Sequence, residues 1–149
     1  MVGKHFFLTL QGGEPVRLQG NQPGRSLAMA ITQEYHVVHA PTDADRGPYK
    51  VATDQYWYSL EEVDGPEIIL YHYHPLDRSG IEFPHMHMKS GLGTVDLTSA
   101  HFPTGRVSVE AFLRLIITTF GVRPRSGFER RWEAIIQETF AAYDRYRTW

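Results

Sequence analysis

The chain has 149 residues, 42 % of them hydrophobic and 21 % charged, with a formal net charge of -2 at pH 7. Such values describe an ordinary folding domain able to bury roughly two thirds of the surface it exposes when unfolded, and they exclude collagen-like, disordered and disulfide-scaffold classes. Cysteine is absent, which removes disulfides, thiolate metal ligands and a cysteine nucleophile; a metal here needs histidine and carboxylate.

No apolar run approaches the ~20 residues that span a bilayer, and residues 1–10 carry no signal-peptide pattern. One cytoplasmic domain, residues 1–149, with no membrane association, is therefore expected. The charge is unevenly spread. Residues 51–67 contain Asp54, Glu61, Glu62, Asp64 and Glu67 without Lys or Arg, whereas residues 101–131 contain six arginines against two glutamates. The second region suits an anion.

Residues 5–10 have the pattern of a short strand, and 11–25 are rich in the residues of turns. Residues 26–40 mix helical and strand spacing, and only 35–39 are expected to be extended. A loop follows at 41–48. Residues 49–63 alternate through Val51, Tyr56, Tyr58 and Leu60, Asp64-Gly65 supplies a hairpin turn, and 67–74 return as the partner strand. A turn at 75–80 leads to a third strand at 83–89, closed by the small residues 90–93.

Ser108 is placed to cap a helix, with Glu110 in its first turn. Phe112, Ile116 and Phe120 repeat at four-residue spacing, as do Val109, Leu113 and Ile117, giving a stripe wide enough for a core helix that Gly121 and Pro124 end. Ser126-Gly127-Phe128-Glu129 has the form of a capping box for a second helix. Its Phe128, Trp132, Ile135, Ile136, Phe140 and Tyr143 are expected in the core. Strands first and two helices last predict an α+β fold: an antiparallel β-sheet followed by two C-terminal helices packed on it.

Chemistry concentrates between Tyr71 and Arg106. Eight randomly placed histidines would give less than one His-X-His pair, yet there are two, His72/His74 and His85/His87. In a strand, residues two apart share a face, so each pair presents both imidazoles together, and adjacent strands would merge them. Half-buried histidines bonded to neighbouring carbonyls would give the same pattern with no function. His36 and His39 are expected in structural or surface roles.

Three functional readings fit. In the first, two or three of His74, His85, His87 and His101 act as acid and base in metal-free phosphodiester cleavage. Arg106, just ahead of a helix N-terminus, would clamp the phosphate. In the second, His72, His74, His85 and His87 bind zinc, manganese or iron, with Asp77, Glu82 or Asp96 as further candidates. The third is a non-catalytic interaction module that uses the aromatic strand around Tyr56 and Tyr58, or the arginine-rich helix junction, as its contact surface. Arg123, Arg125, Arg130 and Arg131 are the candidate RNA contacts, and an exposed aromatic strip or sheet edge would favour a homodimer.

Through Phe83-Pro84-His85-Met86-His87 and His101-Phe102-Pro103-Thr104-Gly105-Arg106, the chain resembles small bacterial proteins with a Pro-His-X-His box. Many of these are uncharacterised, and some are toxin components of toxin–antitoxin loci suspected of attacking RNA. The similarity covers about residues 70–120. It implies functional positions for His85, His87 and His101, a toxin-like ribonuclease activity and an antitoxin-like protein partner. The net charge of -2 departs from the strongly basic character of such ribonucleases.

Overall fold

The computed structural model describes residues 2–20, 26–40, 47–75, 80–88, 97 and 99–148. Its strands are β1 (His5–Thr9), β2 (Val16–Leu18), β3 (Leu27–His39), β4 (Tyr49–Glu62), β5 (Glu67–Tyr73), β6 (His85–Met88), β7 (Phe102–Pro103) and β8 (Arg147–Thr148). Two helices, α1 (Val109–Thr118) and α2 (Trp132–Tyr146), follow β7. All strands belong to one sheet of order β1-β3-β4-β5-β6-β7, with β2 beside β3 and β8 beside β4. Every pairing is antiparallel except that of β8 with β4. The α+β architecture expected from the sequence is the one observed. Among the described residues no helix is long and apolar enough to cross a membrane.

Alternation assigns the two faces of the sheet. Leu27, Ile31, Tyr56, Tyr58, Leu60 and Ile69 turn to one side, where Phe112, Ile116 and Val122 complete the buried core. Tyr56 and Tyr58 stack at 4.7 Å between ring centroids, and Tyr58 meets Phe112 at 5.7 Å. Both tyrosines are 1 % exposed. They hold the helices to the sheet, so neither ring is available to the contact surface anticipated around them.

Ser108 caps α1 as expected: its hydroxyl oxygen accepts from the Ala111 N–H at 3.2 Å, satisfying a donor the helix leaves open. At the other end Gly121 takes φ 68°, which lets the Val122 N–H reach back to the Ile116 carbonyl at 3.2 Å. A side chain would disfavour that left-handed turn.

Three expectations differ from the structure. β3 spans thirteen residues rather than only 35–39. Its polar interruption Gln33 is buried yet satisfied, because the Tyr58 hydroxyl donates to its Oε1 at 2.8 Å and its Nε2 donates to Thr53 Oγ1 at 3.0 Å. Second, α2 begins at Trp132 with no side-chain cap; Glu129 instead accepts from the Gly127 N–H at 2.9 Å, so 126–129 form a local turn rather than a capping box. Third, only Ile136 of the α2 stripe is buried, while Phe128 and Phe140 are exposed. β6 ends at Met88; the expected loop at 41–46, the middle of the turn at 75–80, Lys89 and the closing residues 90–93 lie outside the described residues.

Candidate metal centre

Tyr71 and Tyr73 of β5, and Met86 and Met88 of β6, pack on the core. Alternation therefore sends His72, His74, His85 and His87 to the opposite face, away from the helices. The antiparallel register sets His72 directly across from His85, and Leu70 across from His87. β7 pairs with β6 on its far side, and its Pro103 is tolerated because β7 is an edge strand that needs no further donor. The chain just before β7 adds His101.

Five imidazoles thus form one cluster. The ring of His72 lies 3.9 Å from that of His85, 4.6 Å from His74 and 4.7 Å from His87; His101 lies 4.3 Å from His87 and 5.0 Å from His85. His85 and His74 are buried, His72 and His87 half-buried, and His101 exposed, so the cluster runs from the interior to solvent. Two triads bring ligand atoms within 4.8 Å of one another: His72, His74 and His85, and His85, His87 and His101.

His85 belongs to both triads, and its chemistry is defined by its neighbour. Nδ1 lies 2.8 Å from the Phe83 carbonyl, which can only accept, so Nδ1 carries the proton. The other nitrogen, Nε2, is then a bare lone pair. It is buried and has no hydrogen-bond partner among the described residues, and neither has Nε2 of His72. Burying a polar atom in this way is costly unless something electrophilic meets it. An outer carbonyl that fixes the tautomer and aims the second nitrogen inward is also the usual support of a metal-ligating histidine.

Protons are poor occupants of this space. Burial, followed by repulsion from His85, His87, His74 and His101, pushes the His72 pKa down to about 3. Burial also lowers His87, with the charges of His101, His85 and His74 acting the same way. His85 is lowered by burial, an effect partly opposed by its bond to the Phe83 carbonyl. Neutral imidazoles are the ligating form.

The sequence-derived site residues divide. His72, His74, His85, His87 and His101 come together; Arg106 does not join them. Its guanidinium lies 4.4 Å over the Tyr73 ring, donates to the Tyr73 hydroxyl at 2.9 Å, and donates to the Thr53 carbonyl at 3.0 Å. Tyr73 faces the helices, so Arg106 works on the other side of the sheet, fastening the segment before α1 to β4 and β5. Arg106 was expected as a phosphate clamp beside the imidazoles; it lies apart from them, on the opposite face. The reason is that Tyr73 and the Thr53 carbonyl, in the stretch of β4 between the residues paired with β5 and those paired with β8, offer an aromatic face and an acceptor together. Arg123, Arg125, Arg130 and Arg131 are exposed in the segment joining the helices, apart from the imidazoles. Glu82 is exposed and belongs to none of the described ligand clusters; Asp77 and Asp96 lie outside the described residues.

A second constellation escaped the sequence reading. His5, His36 and Asp54, from β1, β3 and β4, also bring ligand atoms within 4.8 Å of one another. The only sequence signal was the presence of His5 and His36 in extended segments.

The chain matches no protein-family profile, no curated protein and no solved structure.

Proposed function

We propose that this protein is a histidine-ligated transition-metal protein whose ion is held by His72, His74 and His85, with His87 and His101 completing the approach from solvent. The observation that carries this reading is the inward-facing, hydrogen-free Nε2 of His85, fixed by the Phe83 carbonyl and buried without a hydrogen-bond partner among the described residues. An all-nitrogen set suits zinc, and iron among the other candidates, better than manganese, which favours oxygen ligands. Three imidazoles with an open position are the donor set of catalytic zinc sites, where the ion supplies an activated water for hydrolysis. His101, exposed beside His87, stands at the solvent end of the cluster.

The test is a titration of chelator-stripped protein with Zn2+ against a chromophoric chelator. One equivalent bound in the submicromolar range, lost on His85→Ala, is the expected result. A stripped chain that takes up no Zn2+ at micromolar concentration would sink the reading.

The metal-free reading draws on the same imidazoles. His101 at the exposed rim adjoins half-buried His87 and buried His85, so a solvent-reachable imidazole stands beside less accessible ones. With His74, these could divide acid and base roles in phosphodiester cleavage. An RNA substrate contacted by Arg123, Arg125, Arg130 and Arg131, and an antitoxin-like partner, belong to this second reading. Against it stand the remote position of Arg106 and the lowered pKa values, which leave His72, His85 and His87 poor proton donors near pH 7. RNA cleavage by stripped protein in excess chelator would favour it over the metal reading.

A further inference from the structure

The constellation missed by the sequence reading lies on the same helix-free face of the sheet, across β1, β3 and β4. His5 and His36 are register partners of β1 and β3, and their rings stand 5.3 Å apart. Asp54 arrives there through an irregularity. Glu34 pairs with Gln55 but Tyr35 pairs with Thr53, leaving Asp54 as the extra residue of a bulge. In a regular strand, neighbouring Thr53 and Asp54 would continue the alternation; the bulge resets it, so Asp54 and Gln55 both reach groups of one face. Bulges recur where a strand must re-aim a side chain at a functional site.

Four donors converge as a result. His36 Nδ1 lies 2.8 Å from Asp54 Oδ1 and 2.9 Å from Oδ2. His5 Nδ1 lies 3.0 Å from Glu34 Oε1 and 3.2 Å from Asp54 Oδ2. Metal–ligand bonds of ~2.0–2.2 Å place neighbouring tetrahedral ligands roughly 3.3–3.6 Å apart, so a small movement of these groups would admit an ion. With both imidazoles in their neutral, ligating form the four groups carry two negative charges, the complement of a divalent cation. The amide of Gln55 donates to the other oxygen of Glu34, which is how an outer hydrogen bond orients a ligating carboxylate.

We propose that His5, His36, Asp54 and Glu34 form a second divalent-metal site, independent of the five-imidazole cluster and different in preference. Two nitrogens and two carboxylates are a harder donor set, suited to manganese or ferrous iron, whereas the cluster on β5 and β6 is all nitrogen. In the metal-free chain the imidazole Nδ1–H groups hold the carboxylates; to ligate an ion through Nδ1, each neutral ring would carry its single proton on Nε2 instead. His5, 54 % exposed at its side chain, leaves the site open to solvent.

The probe is Mn2+ alone, added to the chelator-stripped full chain. Proton NMR should show the ring resonances of His5 and His36 broadened at substoichiometric Mn2+, before those of His72 and His85. Asp54→Asn, which keeps the size of the side chain and removes its charge, should lower Mn2+ affinity at least ten-fold while Zn2+ uptake at the imidazole cluster stays at the wild-type level. Conversely, His85→Ala should leave Mn2+ binding intact. Unbroadened His5 and His36 rings, or the same Mn2+ affinity in Asp54→Asn, would overturn the proposal and leave these groups as an ion-pair network. If the variant fails to fold, the wild-type broadening pattern alone decides.

Discussion

His72 and His85 face each other across the β5–β6 ladder with their ring centroids 3.9 Å apart, and Nε2 of each is buried without a hydrogen-bond partner among the described residues. This arrangement suits two ligands of the proposed ion. His85→Asn should therefore weaken Zn2+ binding beyond the roughly 10–100-fold that loss of an outer-shell partner costs. His101→Ala, at the exposed rim, should weaken it less than about ten-fold by the same competition assay. Equal losses in both variants would place the ion in the outer triad instead.

Acid should unfold the metal-free chain early. His72 is held at about 3 against an ordinary 6.5, so below pH 6.5 the unfolded chain takes up a proton that the folded chain resists. The stability contributed by keeping this ring neutral is complete above pH 6.5, and it is lost progressively as pH falls toward 3. His85 and His87, lowered in the same direction, add to the loss. Urea midpoints measured at pH 7.5, 5.5 and 4.5 should fall in that order; a flat series would show that the imidazoles protonate freely in the fold.

Arg106→Ala should destabilise the fold without changing Zn2+ binding. The variant removes charge-assisted bonds to the Thr53 carbonyl and Tyr73 hydroxyl, a loss of about 1.5–3 kcal/mol for each bond of this type, reduced where water replaces it. Denaturant unfolding should register the change, and Zn2+ affinity of the folded variant should match the wild type. A selective loss of activity with unchanged stability would return Arg106 to a functional role.

Tyr58→Phe should cost about 1–3 kcal/mol, because it leaves Gln33 Oε1 buried without its donor. The cavity is nearly unchanged, so thermal unfolding would report the hydrogen bond itself. A cost below about 0.5 kcal/mol would mean that water or a rearranged amide satisfies Gln33.

Much of what the chain announces locally it delivers, although the 126–129 capping box does not form. The hairpin at Asp64-Gly65, the Ser108 cap and the shared face of each His-X-His pair follow from spacing within a few residues. Long-range features were hidden for definite reasons. Gln33 looks like a break in β3 until Tyr58 and Thr53, from a neighbouring strand, are seen to satisfy it. His5, His36 and Asp54 meet only through two strand registers and a bulge, none of which any short window encodes. Arg106 follows the His101 segment closely in sequence but turns to the opposite face of the sheet. Phe140 has helical periodicity with Ile136, yet the sheet's core is already filled by α1 beneath it, and the ring remains at the surface.

Trp57 lies on the imidazole side of β4, its indole nearly parallel to the His74 ring, 5° apart in plane and 6.2 Å between centroids. An indole so close to an imidazole is an intrinsic lamp whose brightness depends on what that ring holds. Loading a closed-shell ion, or a paramagnetic one that quenches outright, should change its emission by different amounts, so occupancy can be followed by light in unlabelled protein.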